Sequence, residues 1–317
     1  MSGWRRFALE YGIFIILLVF MAVLAALSPN FLTLSNLRNI GTQVAALAVI
    51  AVGTTLVILL AEIDLSVGSV AALCGAVAAT ILSAGDQSSG WVVLALLGGL
   101  GTGAFIGFVN GALSVWGGIP SFIVTLGMLS VGRGLTLLIT GGRPIFGLGD
   151  SFSQIAYGSV LGVAMPILLV VLLYGVAALW LHATQLGRYL YAIGANPRAV
   201  ELAGVGVRRI KIGTFALAGA LAGLGGMMIA SRLDSAQPTA ASGWELDAIA
   251  AVVLGGTSLY GGRGSVIRTL AGAVLLQFIA NGLNLLDVQA YWQQITKGGI
   301  IILALLAERG LRGNTAS

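Results

Sequence analysis

Long apolar runs separated by short polar breaks set the first constraint on this chain. Such runs leave almost no charge with which to cover a water-facing surface. IFIILLVFMAVLAALS follows the N-terminal WRR, and comparable runs recur along the sequence. Only 9% of the 317 residues are charged and 58% are hydrophobic, against about 25% charged in a soluble domain. A bilayer core of roughly 30 Å needs about 20 apolar residues per helix. The chain is therefore predicted to be an all-α polytopic membrane protein, a single transmembrane domain over 1–317. The 47 glycines agree, because membrane helices associate through small residues that let backbones approach.

Splitting the runs at Gly, Pro, Asn and charged positions predicts about ten transmembrane helices, beginning near Gly12, Gln43, Ser66, Trp91, Ser121, Leu161, Ile212, Trp244, Ser265 and Tyr291. The first resembles a signal peptide, but many spans follow and no A-x-A site appears, so it is read as a retained helix. With the N-terminus in the cytoplasm, the inside segments hold Arg5, Arg6, Arg188, Arg198, Arg208, Arg209, Lys211, Arg263, Arg309 and Arg312. The outside segments hold only Arg38, Arg143 and Arg232. This is the positive-inside bias, and it places both termini in the cytoplasm. It also accounts for the net charge of +5 without nucleic acid. An internal match, G-G-x-x-S-x-I-x-T-L at 117–126 and 261–270, suggests an inverted repeat of spans two to five with seven to ten; chance similarity among apolar residues would give the same match. Inverted repeats suit alternating access.

Several motifs carry competing readings. Gly99, Gly103, Gly107 and Gly111 recur every fourth residue, a helix-packing face; a dinucleotide loop would need a βαβ context. GGTSLYGGRGS (255–265) lacks the G-K-[ST] ending of a phosphate loop and reads as a tight cytoplasmic turn. Gln277, Asn281 and Asn284 share one face of the ninth span and fit either interhelical hydrogen bonds or a substrate pathway, since amides serve a neutral polyol. Glu62-Ile-Asp64 and Glu245-Leu-Asp247 read as helix N-terminal acids or as ion-coupling acids of a secondary carrier, with the first preferred. Lys297 and Arg133 fall inside spans and need partners that the sequence does not name. Cys74, the single cysteine, excludes a disulfide framework and a Cys-based metal site; His182 closes an apolar helix. No constellation for catalysis or metal binding is visible.

Residues 187–211 hold five of the 16 basic residues. Topology alone, an anionic-lipid patch and a docking element all use such charge. The docking reading adds a short helix: Asn196 as N-cap and Pro197 at the first position start it, and Gly204 stops it. Ala199, Leu202 and Ala203 give it a small apolar face.

The chain resembles the permease of bacterial ABC sugar importers of the ribose type over residues 30–307. The likeness is carried by AVGTTLVILLAEIDLSVGSVAAL (51–73), PSFIVTLGMLSVGRGL (120–135), LGRYLYAIGANPRAVELAGVGVRRIKI (186–212), SAQPTAASGWELDAIAAVVLGGTSLYGGRGS (235–265) and NGLNLL (281–286). The resemblance implies a permease subunit that translocates a monosaccharide, a ribose-like pentose or related sugar, across the bacterial inner membrane as a dimer with a second copy or a paralogue. It implies a sugar-binding protein outside and an ABC ATPase inside that uses ATP and Mg, with no cofactor bound by this chain. The 183–211 loop would carry the coupling helix, with Asn196, Pro197, Arg198, Glu201, Leu202, Gly204, Val205, Arg208 and Lys211 as ATPase-coupling residues. An ion-coupled secondary sugar carrier is the alternative.

Overall fold

The structure is a computed structural model and describes residues 3–312; the side chains of Arg5, Arg6, Arg309 and Arg312 lie outside the described residues. Apolar runs of the expected length form helices. Among the described residues, six are long and apolar enough to cross a membrane: α2 (Leu34–Leu59), α4 (Ser89–Gly117), α5 (Ser121–Thr140), α7 (Met165–Ala183), α10 (Val207–Leu233) and α12 (Val266–Leu285). Shorter apolar stretches lie in α1 (Gly3–Leu27) and α3 (Val67–Ser83). The remaining helices are α6 (Asp150–Tyr157), α8 (Gln185–Ala195), α9 (Pro197–Leu202), α11 (Trp244–Leu254) and α13 (Ala290–Arg312).

Several boundaries differ from the sequence expectation, each for a local reason. α2 starts at Leu34 rather than near Gln43, because Thr33 caps it by accepting from the Asn36 amide at 3.3 Å, and its first turns carry amide side chains. The start expected at Leu161 falls in the turn of a hairpin, β2 (Ser159–Val160) with β3 (Val163–Ala164), and α7 begins at Met165. α11 has 11 residues and at about 1.5 Å each reaches only half of the hydrocarbon core. Residues 237–243, without helix, precede it.

Contact registers give the helix directions. A Cβ on Gly53 of α2 would lie 2.9 Å from Ala218 Cα of α10, and Gly225 of α10 packs on Ile50 and Ala46, so these two central helices run antiparallel. Gly103 meets Gly219, and Gly111 would place a Cβ 2.9 Å from Ile212 Cα, so α4 also opposes α10. Asn110 reaches Ser66, and Gly98 packs on Ile81, which makes α3 and α4 a hairpin. The Ile63 and Leu65 amides bond to Ser121 and Thr125, so α5 rises beside α3. Gly41 touches Ile167 and Tyr174 bonds to Ala48 O, so α7 follows α2. Thr55 meets Thr269 and Gln43 meets Gln277, so α12 opposes α2.

Helices α3, α5, α10 and α12 therefore start at the end of the bundle that carries α8 and α9, and α2, α4 and α7 finish there. The two G-G-x-x-S-x-I-x-T-L segments open α5 and α12, which run the same way; the match does not relate inverted elements. In the packing, α10 lies against α3 and α4, and α2 lies against α11 and α12.

At the opposite end, β1 (Ile145–Phe146) pairs antiparallel with β4 (Ser235–Ala236). This ties the segment after α5 to the segment after α10.

Candidate docking site

Residues 183–211, expected as a loop around one short helix, are helical for most of their length. Thr184 starts α8 by accepting from the Gly187 amide at 3.0 Å. Leu190 and Ile193 are buried, so α8 lies with one apolar face on the bundle. Gly194 allows the closest approach. Any side chain there would overlap the Leu59 carbonyl that ends α2 and the Gly262 amide, and these two are themselves bonded at 2.9 Å. The Tyr191 hydroxyl adds a bond to Gly264 O at 3.3 Å. α8 is thus wedged between the end of α2 and the glycine turn before α12.

Asn196 accepts from the Ala199 amide at 3.1 Å, and Pro197 takes the first helical position of α9, as the sequence pattern requires. Gly204 adopts φ +81°, a conformation that costs other residues energy, and the chain turns into α10. Val200 is the residue of α9 that packs inward. Arg198, Ala199, Glu201, Leu202, Ala203 and Gly204 are exposed, Leu202 to 84%. Val205 is half-buried, and Arg208 and Arg209 project from the first turn of α10. The apolar face read from sequence therefore points outward, an uncovered leucine ringed by charges of both signs.

Lys211 separates from this group. It is half-buried in an ion pair with Glu62, in the irregular segment 60–66 between α2 and α3. Nothing in the sequence joins two residues 149 positions apart. In the same segment Asp64, 2% exposed, accepts from the Ser66 amide at 2.8 Å and from its hydroxyl at 2.6 Å. Ser66 Oγ in turn accepts from Asn110 Nδ2 at 2.9 Å. Glu245 and Asp247 lie in the first turn of α11, where carboxylates favour the helix dipole, and Asp247 pairs with Lys297 at 2.8 Å. Arg133 donates to Pro238 O at 2.7 Å and Ala240 O at 3.0 Å.

The amide stripe is bonded throughout. Asn281 and Asn36 exchange bonds of 2.9 and 3.0 Å, Gln277 donates to Gln43 at 2.8 Å, and Asn284 accepts from Gln293 at 2.7 Å. These bonds join α12 to α2 and α13. Gly99, Gly103, Gly107 and Gly111 all face α10, where added Cβ atoms would strike Met227, Gly219 O, Phe215 O and Ile212.

Comparison with known proteins matches residues 36–305 to the family described as branched-chain amino acid transport system / permease component. The ribose import permease RbsC of Escherichia coli K12 is 46% identical over 97% of both chains. RbsC of Bacillus subtilis is 44% identical over 95% of this chain and 92% of its own. The D-allose transport permease AlsC of Escherichia coli is 37% identical over 95% and 91%. No solved structure matches.

Proposed function

The chain belongs to this permease family, in its ribose-type ABC sugar branch, and from that premise we propose that α9 and its flanks are where an ATPase subunit acts. The chain is the membrane-spanning permease subunit of an ABC sugar importer. In the proposal it makes ten passes: α1 to α5, α7, α10, the broken pass 234–254, α12 and α13. α2–α5 and α10–α13 form the inverted repeat around which access alternates. Arg188, Arg198, Arg208, Arg209, Lys211 and Arg263 gather at the α9 end, with Arg38, Arg143 and Arg232 at the other. By the positive-inside bias the α9 end and both termini are cytoplasmic.

The remaining parts follow from the family. The subunit sits in the bacterial inner membrane, pairs with a second copy or a paralogue, and receives a ribose-like pentose from a sugar-binding protein. ATP and Mg are used by the partner ATPase, and this chain binds neither. The observation that carries the assignment is the contrast within 185–204. α8 is wedged against the end of α2, while α9 leaves Leu202 uncovered between Arg198 and Glu201. Force applied to α9 passes through α8 to α2 and the 261–264 turn.

Glu201→Lys with Arg208→Glu, reconstituted in proteoliposomes with the binding protein and ATPase, is expected to lower sugar uptake about tenfold or more while ATP hydrolysis continues. Normal uptake in that variant sinks the docking assignment. An ion-coupled secondary carrier is not favoured. The relatives are ABC and sugar-transport permeases, and Glu62 and Asp247, two acids such a carrier could use, are each taken by a lysine.

A further inference from the structure

A cavity of about 290 Å³ opens at the end of the bundle away from α9, between Ser35, Arg38 and Asn39 of α2, Tyr157 of α6 and Arg232 of α10. A second, of about 190 Å³, continues from it, and Thr42, Ala156 and Arg232 line both. The second chamber is apolar. Ala46, Pro166, Met228, Ile229 and Leu233 wall it, and it extends to Trp244, the first residue of the half-length helix α11. Leu233 is 48% exposed, so the crevice opens to the outside of the bundle.

The two arginines have no evident internal use. Among the described residues, ion pairs occupy Lys211 and Lys297, and no carboxylate comes within 4 Å of Arg38 or Arg232. The Tyr157 hydroxyl bonds to the Arg232 carbonyl at 2.7 Å, which fixes the backbone from which that guanidinium projects. Their placement runs against the charge bias of the molecule, since this end carries only three of the arginines named above and two of them face one cavity. Arg38 lies in the second turn of α2 and Arg232 in the last turn of α10, the depth at which spanning segments meet headgroups.

An unpaired double cation at headgroup depth, joined to an apolar crevice that runs toward the middle of the bundle, has the chemistry of a phospholipid mould. Phosphate suits guanidinium through paired, charge-assisted bonds. A neutral sugar would leave both cations unpaired and gain nothing from the apolar chamber. A free phosphate would leave that chamber unused. The geometry points to a phospholipid site between α2, α6, α7 and α10, in the leaflet opposite α9. Arg38 and Arg232 hold the phosphate, and one acyl chain fills the crevice toward Trp244.

Native mass spectrometry of the full chain, purified with its transporter partners and supplied with dioleoyl phosphatidylglycerol, reads this directly. The wild type is expected to keep one phospholipid per chain under activation that strips loosely held lipid. Arg38→Gln with Arg232→Gln should lower that occupancy about tenfold or more, the scale of losing about 1.4 kcal/mol, whereas Arg143→Gln should not. Ile229→Trp, which narrows the crevice, should lower it with both arginines intact, with the thermal transition confirming that the variant is folded. An adduct undiminished in the double-arginine variant overturns the proposal. So does displacement of the lipid by excess inorganic phosphate without effect of Ile229→Trp, which would mark a free-anion site.

Discussion

The helical core is interrupted twice, and the two interruptions are secured in different ways. Residues 60–66, between α2 and α3, are held from several sides: Glu62 by Lys211 of α10, the Ile63 and Leu65 amides by Ser121 and Thr125 of α5, and Asp64 through Ser66 by Asn110 of α4. Residues 237–243, between α10 and α11, depend mainly on one cation, Arg133, which caps two of their carbonyls. The two meet where Gly68 passes Ala241 O and the Glu245 side chain. The first break is a braced joint beside the end of α8, where Gly194 meets Leu59. The second has fewer ties to other elements.

Substitutions that loosen one break and not the other test this contrast, and their effects should fall in order. Gly194→Ala should be the most damaging, since the new methyl meets backbone at Leu59 and Gly262. A loss near the upper end of about 1–3 kcal/mol is expected for such overpacking, read as a lowered thermal transition of the purified chain. Arg133→Met removes bonds from a charged donor worth about 1.5–3 kcal/mol. Amide exchange should accelerate at 237–243 and stay unchanged at 60–66; equal acceleration at both breaks would abolish the contrast. Glu62→Lys or Lys211→Glu alone should cost about 1 kcal/mol, the pair being partly exposed. The double reversal should recover most of the lost stability, read as the thermal transition, and failure to recover would show that the pair is not the tie. Lys297→Met should matter least, below about 0.5 kcal/mol, because Lys297 is 30% exposed in its pair with Asp247. A larger loss there would move the brace to α11.

What the sequence disclosed followed from local rules. The apolar runs, the Asn196–Pro197 start and Gly204 stop of α9, and the four-residue glycine spacing on α4 are each set by neighbours along the chain. α8 was hidden in what read as a charged loop, because its inward face offers only Leu190 and Ile193. The start of α11 at Trp244 is legible, but AIAAVVL continues an apolar pattern into the glycines that end the helix, and periodicity does not report length in space. The partners of Glu62, Arg133 and Lys297 were invisible, being fixed by contacts across 50–149 residues. The amide stripe was legible as polar and inward, but its pairing with Asn36 and Gln43 required the register of α2 against α12. The repeated G-G-x-x-S segment suggests inversion, but the elements it opens run in parallel.

The glycine face of α4 has a consequence in time. Gly99 to Gly111 are shaped for α10, which begins 96 residues after Gly111. At roughly 5–20 residues per second of synthesis, that surface waits about 5–20 s for its partner. Until then α3 and α5 are the neighbours already made, so the birth order of the helices leaves a seam that only the second half of the chain closes.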